Sequence, residues 1–229
     1  MPSHRPPSQP DSQTLGWLQR EPGRQMLADV QRMVIPELTR VFGQHGLYLH
    51  PSGGLSADLS GNMLANVVSL HRDGGGLAGQ LQCLDAELPI STASLSLVYA
   101  LFMLETSPEP GALLQEIARS LKPEGVALLI SLNPWSLAQL RWLLKPARVT
   151  SSSSVERLAQ DAGLEVIRRQ YLGPFWPSAS SSISDQGGNR WLDGFRAASL
   201  MVLRRREAAL TPLRKAVPAV SLRPGMSAG

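Results

Sequence analysis

The chain has 229 residues, 43% of them hydrophobic, with 22 basic and 18 acidic side chains and a formal charge of +4; that is enough for one α/β domain with a full core and too little for two large ones. No run approaches the 18 apolar residues of a membrane helix, the opening MPSHRPPSQPDSQ lacks the apolar centre of a signal peptide, and a lone Cys83 excludes an internal disulfide. A cytoplasmic protein without a metal site is expected, since no Cys/His spacing matches one. The charge is uneven: residues 196–229 hold seven Lys/Arg against Glu207 and leave 15 basic and 17 acidic residues elsewhere. Without interleaved aromatics or a nucleic-acid motif, this run reads as a solvated tail and makes a nucleic-acid partner unlikely.

Residues 1–14 and 216–229, rich in Pro, Ser, Gly and Ala, read as disordered tails around one domain over 15–215. From Gln25 to Phe42 apolar residues recur at three- and four-residue steps, predicting a helix on a sheet, bent or restarted at Pro36 and ending near Gly43 and Gly46. Leu47–His50 and Val67–Leu70 read as short strands breaking into loops, followed by strands at Leu81–Leu84 and Leu95–Ala100. A helix over Ala112–Leu121 buries Leu113, Leu114, Ile117, Ala118 and Leu121, and stops at Pro123-Glu124-Gly125 before a strand at Val126–Ser131. Ser136–Leu144 reads as helical, and Ser153 with Glu156 as a capping box opening a helix that Gly163 closes. Strands at Leu164–Leu172 and Ala198–Arg205, separated by a Ser/Gly-rich loop at Ser178–Asn189, form a hairpin-like edge pair. Strands alternating with helices predict a doubly wound, mostly parallel seven-stranded sheet whose first five strands run parallel.

In such a sheet ligands bind beyond the carboxyl ends of the strands. After the first strand, Gly53-Gly54 lets backbone approach a ligand closely and present amides, although a plain turn uses the same pair. Asp73, after the second strand, is a candidate for a ribose diol or an ordinary loop residue. Asp85, closing the third, is the best placed acid, able to accept from the exocyclic amine of an adenine ring or to cap a turn. Asn133, held extended by Pro134, directs its amide toward the substrate cleft, or serves with Trp135 as a helix-entry turn. His50, at a strand end, is the one histidine with a cleft position, and no general base or other catalytic residue is assigned.

Residues 81–141 resemble the type 11 methyltransferase domain of class I, S-adenosylmethionine (SAM) dependent enzymes, through Asp85, Leu88-Pro89, Leu114-x-Glu116 and Leu121-x-Pro123-x-Gly125. Leu104-Glu105, Pro110, Ala112-Leu113-Leu114 and Asn133-Pro134-Trp135-Ser136-Leu137 with Arg141 are similar to a bacterial subfamily, and a weaker similarity runs from Pro22-Gly23 to Thr211-Pro212-Leu213-Arg214. The resemblance implies a Rossmann-like fold, SAM as methyl donor and a small-molecule acceptor, with oligomeric state left open. It places His50, Ser52, Gly53 and Gly54 at the amino-acid end of SAM, and Asp73, Asp85, Ala86 and Tyr99 along the rest of the cofactor. Phe102, Asn133 and Trp135 fall on the substrate side. The chain departs from the family pattern at His50-Pro51-Ser52-Gly53-Gly54, where an acidic residue and three glycines are usual, at Ser96, where Asp is usual, and at Phe102. Restoring the acid with His50→Asp is expected to tighten SAM binding, and Asp85→Ala to weaken it. The alternative is a catalytically inactive binding or scaffold protein with a degenerate SAM loop.

Overall fold

Met26, Val30, Val34 and Leu38 recur every fourth residue and make one apolar stripe of helix α1 (Gly23–Leu38), buried against the sheet together with Leu27. Pro36 lies inside its last turn, and the helix ends at Leu38, earlier than expected. The computed structural model describes residues 15–21, 23–55, 59, 61–136, 151–175 and 193–206. The tails at 1–14 and 216–229, the loop 178–189, most of the helical stretch from Ser136 to Leu144, Leu137, Arg141 and the 211–214 motif lie outside these residues.

Seven strands among the described residues form one sheet: β1 (Phe42–His50), β2 (Met63–Asp73), β3 (Gly76–Gly79), β4 (Leu95–Leu101), β5 (Leu121–Leu132), β6 (Leu164–Leu172) and β7 (Ala198–Arg205). Their spatial order is β3-β2-β1-β4-β5-β7-β6. β1 is parallel to β2 and β4, and β4 to β5, while β7 runs against both β5 and β6. The sheet is thus doubly wound and mostly parallel, and its order reverses between β1 and β4. Gly43 and Gly46 do not stop a helix but sit inside β1. A Cβ at Gly43 would lie 1.9 Å from Ser96 Oγ, and one at Gly46 2.4 Å from Leu64 Cδ1, so the neighbouring strands' side chains lie over bare backbone.

The expectation of five parallel strands fails at the third. Only seven residues separate Asp73 from Leu81, fewer than the dozen or so a parallel crossover needs. The chain turns instead at Gly74-Gly75 into β3, antiparallel to β2. Leu81–Leu84, expected as a buried strand, makes isolated bridges, with Leu81 and Leu84 exposed.

Helices α2 (Met103–Thr106), α3 (Pro110–Ser120) and α4 (Ser152–Asp161) follow. Leu113, Leu114 and Ile117 of α3 and Val155 and Ala159 of α4 bury on the face of the sheet lined by Leu47, Leu49, Val98 and Leu129; α1 covers the other face. The α4 cap is Ser151, whose Oγ accepts from Ser154 N at 3.3 Å, in place of the expected Ser153 and Glu156. Glu156 instead meets Arg169 on β6 at 2.5 Å. Gly163 closes the helix at φ +80°, as its sequence position predicts.

Candidate functional site

The register brings the carboxyl ends of the parallel strands to one rim. His50 pairs with His71, Leu49 with Ala100, Leu101 with Ile130, and Leu132 with Ala198 at the start of β7. The switch point between β1 and β4 lies in the middle of this rim, where an open doubly wound sheet holds its ligand.

His50 is buried at 5% exposure, its ring stacked on Tyr48 at 4.8 Å. Nδ1 lies 2.7 Å from the Ser52 carbonyl, an oxygen that only accepts, so Nδ1 carries the proton and Nε2, 3.2 Å from Ser69 Oγ, accepts the hydroxyl. Burial holds its pKa below the usual histidine value, outweighing the Ser52 hydrogen bond. The neutral ring thereby anchors the loop after β1. Leu55 N donates to the same Ser52 carbonyl, Ser52 Oγ accepts from Gln19 Nε2 at 2.5 Å, and Gly53 packs on the His71 ring. Gly53 and Gly54 remain exposed.

This arrangement reverses the expectation for His50→Asp. A carboxylate at this buried position lies between the Tyr48 and His71 rings and loses the loop anchor. The substitution is expected to lower stability by about 1–3 kcal/mol without tightening any ligand. Because the folded-state pKa of His50 lies below the unfolded value, its contribution is complete above about pH 6.5 and is lost as pH falls through the lower folded value. Urea midpoints of the wild type and His50→Gln at pH 7.5 and 5.5 check this. The drop between the two pH values should shrink in the variant.

Asp85 is also buried, at 3% exposure. It faces Arg72, one strand position beyond His71, in a two-pronged ion pair with NH1–Oδ1 at 2.5 Å and NH2–Oδ2 at 2.9 Å, and Ser107 Oγ donates to Oδ2. The carboxylate that the sequence offers to an adenine ring therefore ties the end of β2 to the segment joining α2 and α3. Ala86, exposed beside it, sits at the tip of the tight turn closed by Glu87 N to Leu84 O at 3.2 Å. Asp73 is exposed, with no ion-pair partner among the described residues. It borders an open cleft of about 370 Å³ that Leu77, Gln82, Cys83 and Leu84 also line, a size within the range of small-ligand sites.

The remaining candidates divide between core and rim. Tyr99 is buried 5.1 Å from Tyr48 on the α1 side of the sheet and is a core residue. Phe102, fully buried, has left-handed backbone at φ 50°, fixed by its N–H donating to Ile130 O at 2.9 Å. That conformation costs about 1–2 kcal/mol for a non-glycine residue and sharpens the turn from β4 into α2. Asn133 does not point into the cleft: its Nδ2 donates to Gly194 O at 2.7 Å and Arg196 O at 2.8 Å, and its Oδ1 accepts from Trp135 N at 3.2 Å. Trp135 is 75% exposed.

Sequence reading missed Arg72 and Ser107, and named Glu105 only as part of the Leu104-Glu105 resemblance. Arg72 had a usable signal, since it shares a strand face with Leu70, two residues earlier and fully buried. Glu105, on α2, accepts from Leu132 N at 2.5 Å, while its Oε2 has no hydrogen-bond partner among the described residues. Near the end of β7, Arg204 meets Glu124 at 3.2 Å and Arg206 meets Glu165 at 2.6 Å in surface ion pairs, and the part-buried Arg205 donates to the Arg119 and Leu121 carbonyls. Among the described residues no three His, Cys, Asp or Glu side chains converge, and no helix is long and apolar enough to cross a membrane.

This strand order and rim define a Rossmann-like fold of the methyltransferase type. Residues 37–129, from the end of α1 through most of β5, match the family model described as a methyltransferase domain. The chain is similar to a SAM-dependent methyltransferase from Thermotoga maritima, with 16% identity, TM-score 0.54, and 86% of this chain and 100% of that one covered. It is also similar to a SAM-dependent methyltransferase from Aquifex aeolicus, with 15% identity, TM-score 0.54, and coverage of 85% and 98%. At these identities the likeness is one of fold. No curated protein matches the chain.

Proposed function

We propose that the protein is a SAM-dependent methyltransferase acting on a small acceptor. The observation that carries this reading is the convergence of the β1, β2 and β4 ends at the switch point of a sheet whose residues 37–129 match a methyltransferase domain. The exposed Asp73 carboxylate suits a ribose diol, the exposed turn at Ala86 suits the edge of an adenine ring, and Leu84 supplies an apolar wall. The Gly53 amide suits the methionine carboxylate, while that of Gly54 donates to Ser52 Oγ at 3.4 Å. The first loop offers its ammonium no carboxylate among the described residues, since His50 is neutral there. Affinity is accordingly expected in the tens of micromolar, about −6 kcal/mol.

When bound, SAM supplies an electrophilic methyl group on a sulfonium. The part of this chain is to align an acceptor heteroatom with that methyl and to exclude water; proximity supplies much of the acceleration in such transfers. A specific observation favours a rival, non-catalytic binding protein: the two most cofactor-like polar side chains, His50 and Asp85, are both engaged inside the protein. Calorimetric titration of the wild type with S-adenosylhomocysteine separates the readings, since a chain that has lost the cofactor shows no saturable binding, and Asp73→Ala tests the assigned contact. Losing hydrogen bonds to a charged acceptor is worth about 1.5–3 kcal/mol, so calorimetric affinity for S-adenosylhomocysteine should fall at least about tenfold, with thermal stability unchanged. Equal affinity in wild type and variant would remove Asp73 from the site.

A further inference from the structure

Where β4 and β5 begin, the two strands fall out of step. Leu95 pairs with Leu121 and Leu97 with Val126, so the single residue Ser96 spans the same stretch as residues 122–125. The surplus stands out as a bulge, with Glu124 in left-handed backbone at φ 61°. Arg205 anchors its base by donating to the Leu121 carbonyl. Between the bulge, the end of β7 and the start of β1 lies an open pocket of about 360 Å³, whose lining includes Arg40, Phe42, Ser96, Lys122, Glu124 and Arg204. It sits at the amino ends of the parallel strands, and β1 puts it about 25 Å from the carboxyl-end rim at about 3.3 Å per residue.

The charge of this lining has one sign. Arg40, Lys122 and Arg204 outnumber the single carboxylate of Glu124, for a net charge of +2. Glu37, which holds Arg40 at 2.8 Å, is itself matched by Arg168 at 2.5 Å. Arg204 is tied to Glu124 by one 3.2 Å contact between side chains 43% and 63% exposed, a surface pair that is easily given up. Two buried atoms in the same walls, Ser96 Oγ and Arg204 Nε, have no hydrogen-bond partner among the described residues, and Ser96 is 4% exposed. Buried donors are normally paired. Both of these lack an acceptor, beside a pocket that lacks negative charge. A phosphoryl group supplies both, with three acceptor oxygens and a charge of about −1.5 to −2 at pH 7. Phe42, 72% exposed, adds an apolar wall for whatever carries the group. We propose that this pocket binds a phosphoryl dianion, which pairs with Lys122 and Arg204, accepts from Ser96 and displaces Glu124. The site lies at the opposite end of the strands from the cofactor rim and does not rest on the methyltransferase reading.

The test titrates the full chain calorimetrically at pH 7.5 and fixed ionic strength with phenyl phosphate, inorganic phosphate and, as the uncharged control, phenol. Saturable binding of phenyl phosphate and none of phenol is expected. Lys122→Gln and Arg204→Gln should each weaken it about tenfold, as for a lost charged hydrogen bond. Ser96→Ala should weaken it about threefold without lowering the urea midpoint, because the hydroxyl it removes has no partner in the fold. Glu124→Gln should strengthen binding about threefold, since the competing carboxylate is gone. Affinity for S-adenosylhomocysteine should be the same in all four variants. A preference for phenyl phosphate that Phe42→Ala abolishes assigns the site to an organic monoester, and equal affinities assign it to free phosphate. Absence of saturable binding by either phosphate, affinity unchanged in both Lys122→Gln and Arg204→Gln, or weaker binding by Glu124→Gln overturns the proposal.

Discussion

Asp85→Ala is expected to lower the folding free energy by about 3–5 kcal/mol, the magnitude found when one partner of a buried ion pair is removed. The reason lies in Arg72, whose side chain is 1% exposed and whose NH1 and NH2 both point at the Asp85 carboxylate. Without that carboxylate the guanidinium is buried with the Gly76 carbonyl, 3.1 Å from NH1, as its remaining partner among the described residues. Ser107 also loses its acceptor. Replacing both charges together, as Arg72→Met with Asp85→Leu, should recover most of the loss, because apolar residues of similar volume need no partners. Urea unfolding at pH 7 measures all three proteins. A single variant within about 1 kcal/mol of wild type would mean that the pair adds nothing to the fold. In that case Asp85 would again be available to a ligand.

Stability should also fall as pH rises from about 4.5 to above 7, through Glu105 alone. Burial of this carboxyl, outweighing the backbone hydrogen bonds from Leu132 and from Glu105 itself, pushes its pKa from 4.5 up to about 7. The sign follows from linkage: a folded-state pKa above the unfolded value makes the contribution complete below about pH 4.5 and absent once pH exceeds the folded value. The total is about 3 kcal/mol, at 1.36 kcal/mol per pH unit of separation. Glu105→Gln keeps the acceptor for Leu132 N without the charge, so its unfolding free energy should be flatter with pH and should exceed that of the wild type at pH 8. Chemical denaturation at pH 5, 6, 7 and 8 gives the comparison. Parallel curves for the two proteins would show that Glu105 ionises freely.

The elements legible in the sequence were those whose burial is local. Leu95–Ala100 reads as a central strand because apolar residues face both sides, and every one of its residues is buried. For β1 and β2 the sequence marked Leu47–His50 and Val67–Leu70 but missed the mostly exposed halves that precede them, at Phe42–His45 and Met63–Asn66. The third strand misled because apolarity alone did not weigh the short distance from Asp73 to Leu81. Asp85 and Asn133 were both singled out at strand ends, yet what their side chains do depends on remote partners. Arg72 is 13 residues from Asp85 and reaches it through the β2–β3 hairpin; Gly194 and Arg196 are 61 and 63 residues from Asn133 and meet it across the β5–β7 pairing. No local pattern carries that information. The neutral state of His50 was hidden in the same way, since it follows from burial of the ring within the folded sheet.

The central claim is that SAM binds at the carboxyl-end rim between β1, β2 and the turn at Ala86. Amide hydrogen exchange of the full chain, followed by mass spectrometry with and without millimolar SAM, addresses occupancy and position together. Slowed exchange confined to peptides covering Ser52–Leu55, Asp73–Gly75 and Asp85–Glu87 is the predicted result; unchanged exchange in all three, or protection only elsewhere in the chain, would contradict it.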